Sequence, residues 1–300
     1  MPSSQTTVVG FVGVGDMGAP MARNLLRAGY RVVVTDVQTQ RAQALESAGA
    51  ECVADAQQVA NEAEIVFACL NSVDAMHSVA VSVAKGSAVR VYADLSTSGP
   101  TIAKQLRNAF TGTQIDMLDA PISGQINRAE DATLAIMVSG PSAAFALARP
   151  VFEAIGKHVF YLGNIAGGGQ MMKVANNLIN NVQTLATSEA IAMAMKFGLE
   201  PAQMFEILNV STGRNSQTDG QLRSAVLEQD FNKGAVISIT KKDITLAVEE
   251  AARIGVAAPT ANAAKDLIVQ AYAAGDGTQR SASLFLHIAK LSDLDIKQAD

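Results

Sequence analysis

Residues 8–18 read Val-Val-Gly-Phe-Val-Gly-Val-Gly-Asp-Met-Gly, an apolar run followed by glycines at 13, 15 and 18. Helical periodicity begins at Met17 and continues to Ala28. A strand that turns through glycines straight into a helix leaves few folds open. Gly13 permits a tight turn, Gly15 lets a pyrophosphate approach the backbone, and Gly18 allows close packing of helix on strand. The helix start then offers unpaired N–H groups and positive potential to an anion. A bare GxGxxG is weak, but here an acid follows at the expected distance. Asp36 closes the β-branched run 31–35. A carboxylate there accepts hydrogen bonds from ribose hydroxyls and repels a 2′-phosphate. NAD is therefore preferred, while Arg41 close by leaves NADP open. The alternative for Asp36 is a solvated strand-end carboxylate. The motif assigns Gly13, Val14, Gly15, Asp16, Met17, Gly18 and Asp36 to cofactor binding.

The first half continues to alternate. Strands are expected at 31–35, 65–68, 89–93, 115–118, 134–138 and 159–161, with helices at 39–47, 73–83, 101–110 and 142–155. Such alternation predicts a parallel sheet covered on both faces. After Gly163 strand signals nearly vanish. One long helix is expected from 169 to 197, and further helices at 202–208, 221–227, 239–254, 261–273 and 281–291. The fold class expected is an α/β Rossmann-like dinucleotide-binding domain followed by an all-α domain, with the boundary in the glycine-rich stretch and domains of 1–165 and 166–300.

Composition narrows the function. With 300 residues, 49% hydrophobic and 17% charged, the chain has ample core and no signature of disorder. A net charge of −5 argues against general nucleic-acid or anionic-membrane binding. No apolar run reaches spanning length, and the polar start carries no signal-peptide pattern. Cys52 and Cys69 lack the close partners of a zinc or redox motif, so reduced thiols in a cytoplasmic protein are expected. His77, His158 and His287 are scattered, and no metal site is expected.

Gly167-Gly168-Gly169 runs into Gln170-Met171-Met172-Lys173-Val174-Ala175-Asn176-Asn177. Residues four apart share a helix face, so Lys173 and Asn177 present an ammonium and an amide side by side. Apolar neighbours would lower the lysine pKa towards acid–base use. The plainer alternative is a surface lysine after a flexible loop.

Taken together, these motifs resemble the β-hydroxyacid dehydrogenase family, and the resemblance covers nearly the whole chain. The segment from Gly13 to Leu25 is similar to the family's dinucleotide signature. Asp94-Leu95-Ser96-Thr97 resembles the loop whose threonine faces the nicotinamide. Asp119-Ala120-Pro121-Ile122-Ser123-Gly124 resembles the substrate-binding motif, and Gly167–Asn177 the catalytic one. Lys242-Asp243 with Leu246-Ala247 resembles a C-terminal element whose lysine reaches the cofactor. The resemblance implies Lys173 as the catalytic acid–base and Ser123, Gly124, Gln125 and Asn177 as substrate ligands. It adds Leu70, Asn71, Thr97 and Lys242 to the cofactor contacts. It also implies a C-terminal domain like that of 6-phosphogluconate dehydrogenase, and a homodimer or homotetramer. The expected reaction is hydride transfer between NAD(P) and a small β-hydroxy acid or semialdehyde. Within the family, 3-hydroxyisobutyrate dehydrogenase, tartronate semialdehyde reductase and sugar-acid dehydrogenase activities stay open.

Several residues have plainer readings. Ser123-Gly124 is also a turn after a strand. Thr97 is also a candidate N-cap for the next helix. Lys241, Lys242 and Asp243 also fit a solvated helix start. The chain departs from the family at Gln125 and Arg128, where small residues are common, and Ser211–Ser216 is polar where the family often lines its pocket. Gln125 would occupy room near the substrate carboxylate, and the polar segment suits a polar substrate. Together they count against 3-hydroxyisobutyrate, whose methyl group wants an apolar wall. A non-catalytic cofactor-binding module and an imine reductase are the competing functions.

Overall fold

The computed structural model describes residues 7–275 and 277–296. The first half runs β1 (Val8–Val12), α1 (Gly18–Arg27), β2 (Arg31–Thr35), α2 (Thr39–Gln43), β3 (Glu51–Cys52), α3 (Ala56–Glu62), β4 (Ile65–Ala68), α4 (Val73–Val83), β5 (Val91–Asp94), α5 (Pro100–Arg107) and β6 (Asp116–Asp119). These six strands form one sheet in the order β3-β2-β1-β4-β5-β6, all pairs parallel. This is the doubly wound arrangement, whose order reverses between β1 and β4.

Side-chain alternation explains why the central strands are apolar throughout. Phe11, Val32, Val34, Phe67 and Ala93 point to one face, and Val33, Val66 and Tyr92 to the other. Phe67 stacks on Phe152 at 4.9 Å on the first face, and Tyr92 meets Phe110 at 5.0 Å on the second. Gly10, in the middle of β1, has no room for a side chain: a β-carbon there would lie 2.3 Å from Val59 Cγ1. Helix α3 can therefore lie close on the sheet.

A second sheet follows, of β7 (Ile122–Ser123), β8 (Ala135–Val138) and β9 (His158–Tyr161), with α6 (Ile126–Glu130) after β7 and α7 (Ser142–Glu153) after β8. The expected single parallel sheet is thus two sheets, since β7 pairs antiparallel with β8. Asp119 and Ser139 exchange backbone hydrogen bonds of 3.0 and 2.9 Å, which join the end of β6 to the end of β8.

Other expectations need correction. The helix expected at 39–47 breaks after Gln43, and a 3-10 turn over Glu46–Ala48 ends at Gly49 with φ of 99°. Helix α5 starts with Pro100 after Gly99, so Thr97 is not its N-cap. Elements β3, α3, β7 and α6 were not expected: none exceeds seven residues, too short to show a period.

The remaining helices are α8 (Gly168–Phe197), α9 (Pro201–Asn209), α10 (Gln221–Glu228), α11 (Ile237–Arg253), α12 (Pro259–Ala273) and α13 (Leu284–Leu291). Their core holds Leu185, Ile191, Phe205, Leu222, Ile244, Ile268 and Phe285. Compactness divides the chain into two units, the first ending at Lys173 and the second beginning at Val174. Helix α8 passes from one to the other. Among the described residues no helix is long and apolar enough to cross a membrane.

Candidate active site

In the first unit the expected cofactor residues gather at one edge of the parallel sheet, beyond the carboxyl ends of β1, β2, β4 and β5. Gly13 adopts φ of 87°, and a β-carbon on it would lie 2.4 Å from the Cys69 carbonyl oxygen. A β-carbon on Gly18 would lie 2.0 Å from the Gly13 carbonyl oxygen. Gly15 differs, because among the described residues the sole group such an atom would meet within 4 Å is Arg41 Nη1, at 3.0 Å. That face is open except for the end of one flexible cation. The glycine pattern therefore fits a pyrophosphate laid on the turn at the start of α1.

Asp36 stands at the end of β2 and accepts the Val14 N–H at 2.9 Å and the Gln38 N–H at 2.8 Å, one on each oxygen. Each oxygen keeps a second lone pair for a ribose hydroxyl. An open groove of about 580 Å³ begins at Val14, Gly15 and Asp16 and is lined by Arg23, Arg27 and Arg41. Leu70, after β4, donates its N–H to Ser96 Oγ at 2.9 Å. Thr97 lies in the loop from β5 to α5, half-buried, and Asn71 is exposed at the β4 end.

The glycine triplet is not a flexible exit. Gly167 donates its N–H to Asp119 Oδ1 at 3.1 Å, and Gln170 donates its own to Oδ2 at 3.2 Å. Ser139 Oγ donates to Asp119 Oδ2 at 2.8 Å and accepts the Gly169 N–H at 2.9 Å. The Gly169 and Gln170 N–H groups of the first turn of α8, with that of Gly167 before it, thus find partners at the ends of the two sheets, and Gly168 donates to the Ile165 carbonyl, as a buried helix start requires. A β-carbon on Gly169 would lie 2.2 Å from the Met137 carbonyl oxygen, so only glycine lets the helix dock this closely. Three residues on from Gln170 the same helix carries Lys173, which is half-buried.

Two buried carboxyls support this corner. Burial pushes Asp94 up, opposed by hydrogen bonds from the Ser96 side chain and backbone, and the nearby Asp119 charge adds to the rise. Burial likewise raises Asp119, opposed by the bonds from Ser139, Gln170, Gly167 and Gly169.

Ser123 ends β7, half-buried and paired with Ala135. Gly124 has φ of 146°, and Gln125, exposed, stands at the N-cap position just before α6. Arg128 lies back over the turn, its Cβ 3.1 Å from where a Gly124 β-carbon would be. The turn is thus fixed by its backbone and lined by longer side chains than its family motif suggests.

In the second unit Asn177 donates from Nδ2 to Asp243 Oδ2 at 2.8 Å. Lys242 Nζ lies 3.6 Å from Asp243 Oδ1. The two residues expected from separate motifs, Asn177 and Lys242, therefore meet at one carboxylate. Lys241 points elsewhere, its Nζ 4.1 Å above the Tyr272 ring. The polar 211–216 segment turns toward α8: Ser216 Oγ accepts from Gln183 at 2.8 Å and donates to Asn180 Oδ1 at 3.3 Å, and Asn215 bonds Thr187. Asp119, Ser139, Gln170 and Asp243 were given no role in the sequence reading. Asp119, Gln170 and Asp243 lie inside the quoted motifs; their signals are a carboxyl at a strand end, an amide at a helix start and a carboxyl beside a lysine. Ser139 carries no local signal at all.

The family described as the NAD binding domain of 6-phosphogluconate dehydrogenase matches residues 8–163. That described as NAD-binding of NADP-dependent 3-hydroxyisobutyrate dehydrogenase matches residues 167–287. A 3-hydroxyisobutyrate dehydrogenase of Pseudomonas aeruginosa is 32% identical, over 87% of this chain and 91% of the relative. An NAD-dependent L-serine dehydrogenase of the same organism is 33% identical over 89% and 94%. Among solved structures, the 3-hydroxyisobutyrate dehydrogenase of Mycobacterium tuberculosis with L-serine superposes with a TM-score of 0.86 at 29% identity, covering 93% of this chain and 98% of that one. The chain therefore belongs to the β-hydroxyacid dehydrogenase family, as an NAD(P)-dependent dehydrogenase acting on the CH–OH group of its substrate.

Proposed function

We propose that the chain interconverts a small β-hydroxy acid and its semialdehyde, with Lys173 as the acid–base group. The cofactor, when bound, supplies or accepts the hydride. Lys173 Nζ takes the hydroxyl proton in oxidation and returns a proton to the developing alkoxide in reduction. Help of this kind is worth ~10²–10⁴-fold in rate. Asn177 cannot replace it, because an amide does not exchange a proton at neutral pH. Its role is to orient the reacting oxygen: Asn176 donates to its Oδ1 and Asp243 takes one Nδ2 hydrogen, so the second Nδ2 hydrogen is aimed for donation to that oxygen. Ser123 and Gly124, with Gln125, hold the substrate carboxylate, and Thr97, Leu70, Asn71 and Lys242 contact the cofactor. The observation that carries the reading is the anchored start of α8, which delivers Lys173 from a turn bonded to Asp119 and Ser139.

NAD is the preferred cofactor, on the strength of Asp36, and Arg41 over Gly15 supports acceptance of NADP as well. The relatives named for 3-hydroxyisobutyrate and L-serine share a β-hydroxy carboxylate and differ at the adjoining substituent. The polar Gln125, Arg128 and Ser216 favour a polar substituent over a methyl. Exposed Ile179, Met193, Phe197 and Val210 in the helical unit support a homodimer or homotetramer, and the two free cysteines a cytoplasmic location.

A panel of β-hydroxy acids and semialdehydes, each with NAD(H) and NADP(H) and followed by absorbance, tests the reading. Turnover of polar β-hydroxy acids with a higher kcat/KM for NAD is expected. Binding of NADH without turnover of any member would favour the non-catalytic module.

A further inference from the structure

We infer that Gln170 is a positioning residue, tying the helix that carries Lys173 to the loop that carries Thr97. The inference rests on the acid–base reading of Lys173. Gln170 is fully buried, at 0% exposure. Its Oε1 accepts the N–H groups of Ser98 at 3.0 Å and Gly99 at 3.1 Å, and its Nε2 donates to the Ser96 carbonyl at 2.7 Å. These three bonds bracket Thr97 on both sides. The Gln170 backbone N–H meanwhile goes to Asp119. One residue thus joins β6, the β5–α5 loop and the first turn of α8.

Packing alone does not call for an amide here. Burying one is costly unless its polar atoms are bonded, and a leucine or methionine would fill similar volume at no such cost. What an amide uniquely adds at this reach is an acceptor for two N–H groups beside a donor for a carbonyl. The path also continues: Ser96 Oγ accepts the Leu70 N–H, so hydrogen bonds run from the end of β4 through Ser96 to Gln170. Lys173 follows on the same side of the helix, ~4.5 Å further along its axis. Movement of the loop or of the helix start would therefore shift Lys173 against the cofactor edge.

The test uses the full chain with Gln170→Leu, Gln170→Glu and Lys173→Ala, plus Gln170→Leu combined with Lys173→Ala. The readouts are NADH Kd by fluorescence, kcat and KM, and amide hydrogen exchange of residues 96–101 in the cofactor-free protein. Gln170→Leu should raise exchange at Ser98 and Gly99 and lower kcat by about 10²-fold, the cost of a misplacement near 1 Å. Its NADH Kd and substrate KM should change less than about threefold, a difference under ~0.7 kcal/mol. Gln170→Glu keeps the acceptor but, when ionised, sets a carboxylate oxygen against the Ser96 carbonyl. At neutral pH its kcat should therefore fall at least as far as that of Gln170→Leu, and partly recover as pH falls and the carboxyl regains an O–H donor. It also serves if the leucine variant does not fold. In the Lys173→Ala background Gln170→Leu should cost little more, because it acts through the lysine. A kcat near wild type in both Gln170 variants would overturn the inference. So would a loss seen only as weaker NADH binding, or one that multiplies undiminished in the double variant. Retained turnover in Lys173→Ala would instead strike the acid–base reading itself, whatever Gln170 does.

Discussion

The two glycine clusters, at 13–18 and 167–169, use the missing side chain in different ways. In the first, Gly13 and Gly18 close the turn on itself, while Gly15 keeps one face open to anything but the end of Arg41. In the second, no face is open. Gly169 lies against the Met137 and Asp119 carbonyls, Gly167 against Pro100, and Gly168 against Ser139. One cluster keeps space for a ligand; the other removes it so that a helix can dock on two sheets. A glycine run announces close approach by something, and the surroundings decide whether that is a ligand or the chain's own backbone.

Substitution separates the two uses. The largest effect is expected from Gly169→Ala, whose methyl would sit 2.2 Å from a carbonyl oxygen on the far side of a packed contact. Overpacking of this kind costs ~1–3 kcal/mol, and this contact belongs at the upper end. Urea denaturation measures it, and a change under about 0.5 kcal/mol, the range of an ordinary surface substitution, would break the contrast. Asp119→Asn comes next. It sets an NH₂ group among the three donors the carboxylate now accepts, for a loss of about 1–3 kcal/mol by the same measurement. Gly15→Ala should leave the urea midpoint almost unmoved, since only the end of Arg41 must shift, yet weaken NADH binding by about tenfold, or ~1.4 kcal/mol. Equal effects of Gly15→Ala and Gly169→Ala on folding would erase the distinction.

The smallest effect is a pH slope confined to the second cluster's surroundings. Burial raises Asp94 above its ordinary 3.8, so the folded chain holds that proton more tightly than the unfolded one. The stability this contributes is fully present below 3.8 and is lost as pH rises through the higher folded value. Asp94→Asn should therefore flatten the fall of Tm with rising pH just above the ordinary carboxylate range. An unchanged slope would assign it to other groups.

Much of this was readable in the chain, for reasons that differ by element. The central strands are apolar on both faces, and the 30-residue α8 has room to show its period, so both are legible. Glu51–Cys52 and Ile122–Ser123 are strands only because neighbours pair with them, which a local pattern cannot show. Gly13, Gly15 and Asp36 lie within one strand–helix–strand unit and are legible together. The bond from Gln170 to Ser96 spans 74 residues and that from Asn177 to Asp243 spans 66, so neither leaves a local trace. The triplet at 167–169 was visible as glycine but not as a docking surface, since its partners lie on β6 and β8.

The central claim is that the docked helix start exists to place Lys173 as the acid–base group. Lys173→Met keeps the length of the side chain and removes its exchangeable proton. The most direct measurement is its NADH Kd beside its kcat, over a range of pH, on the best substrate of the panel. The account predicts near-normal NADH binding and a kcat reduced by about 10²–10⁴-fold at every pH. A kcat within a few-fold of wild type, with the same pH profile, would contradict it.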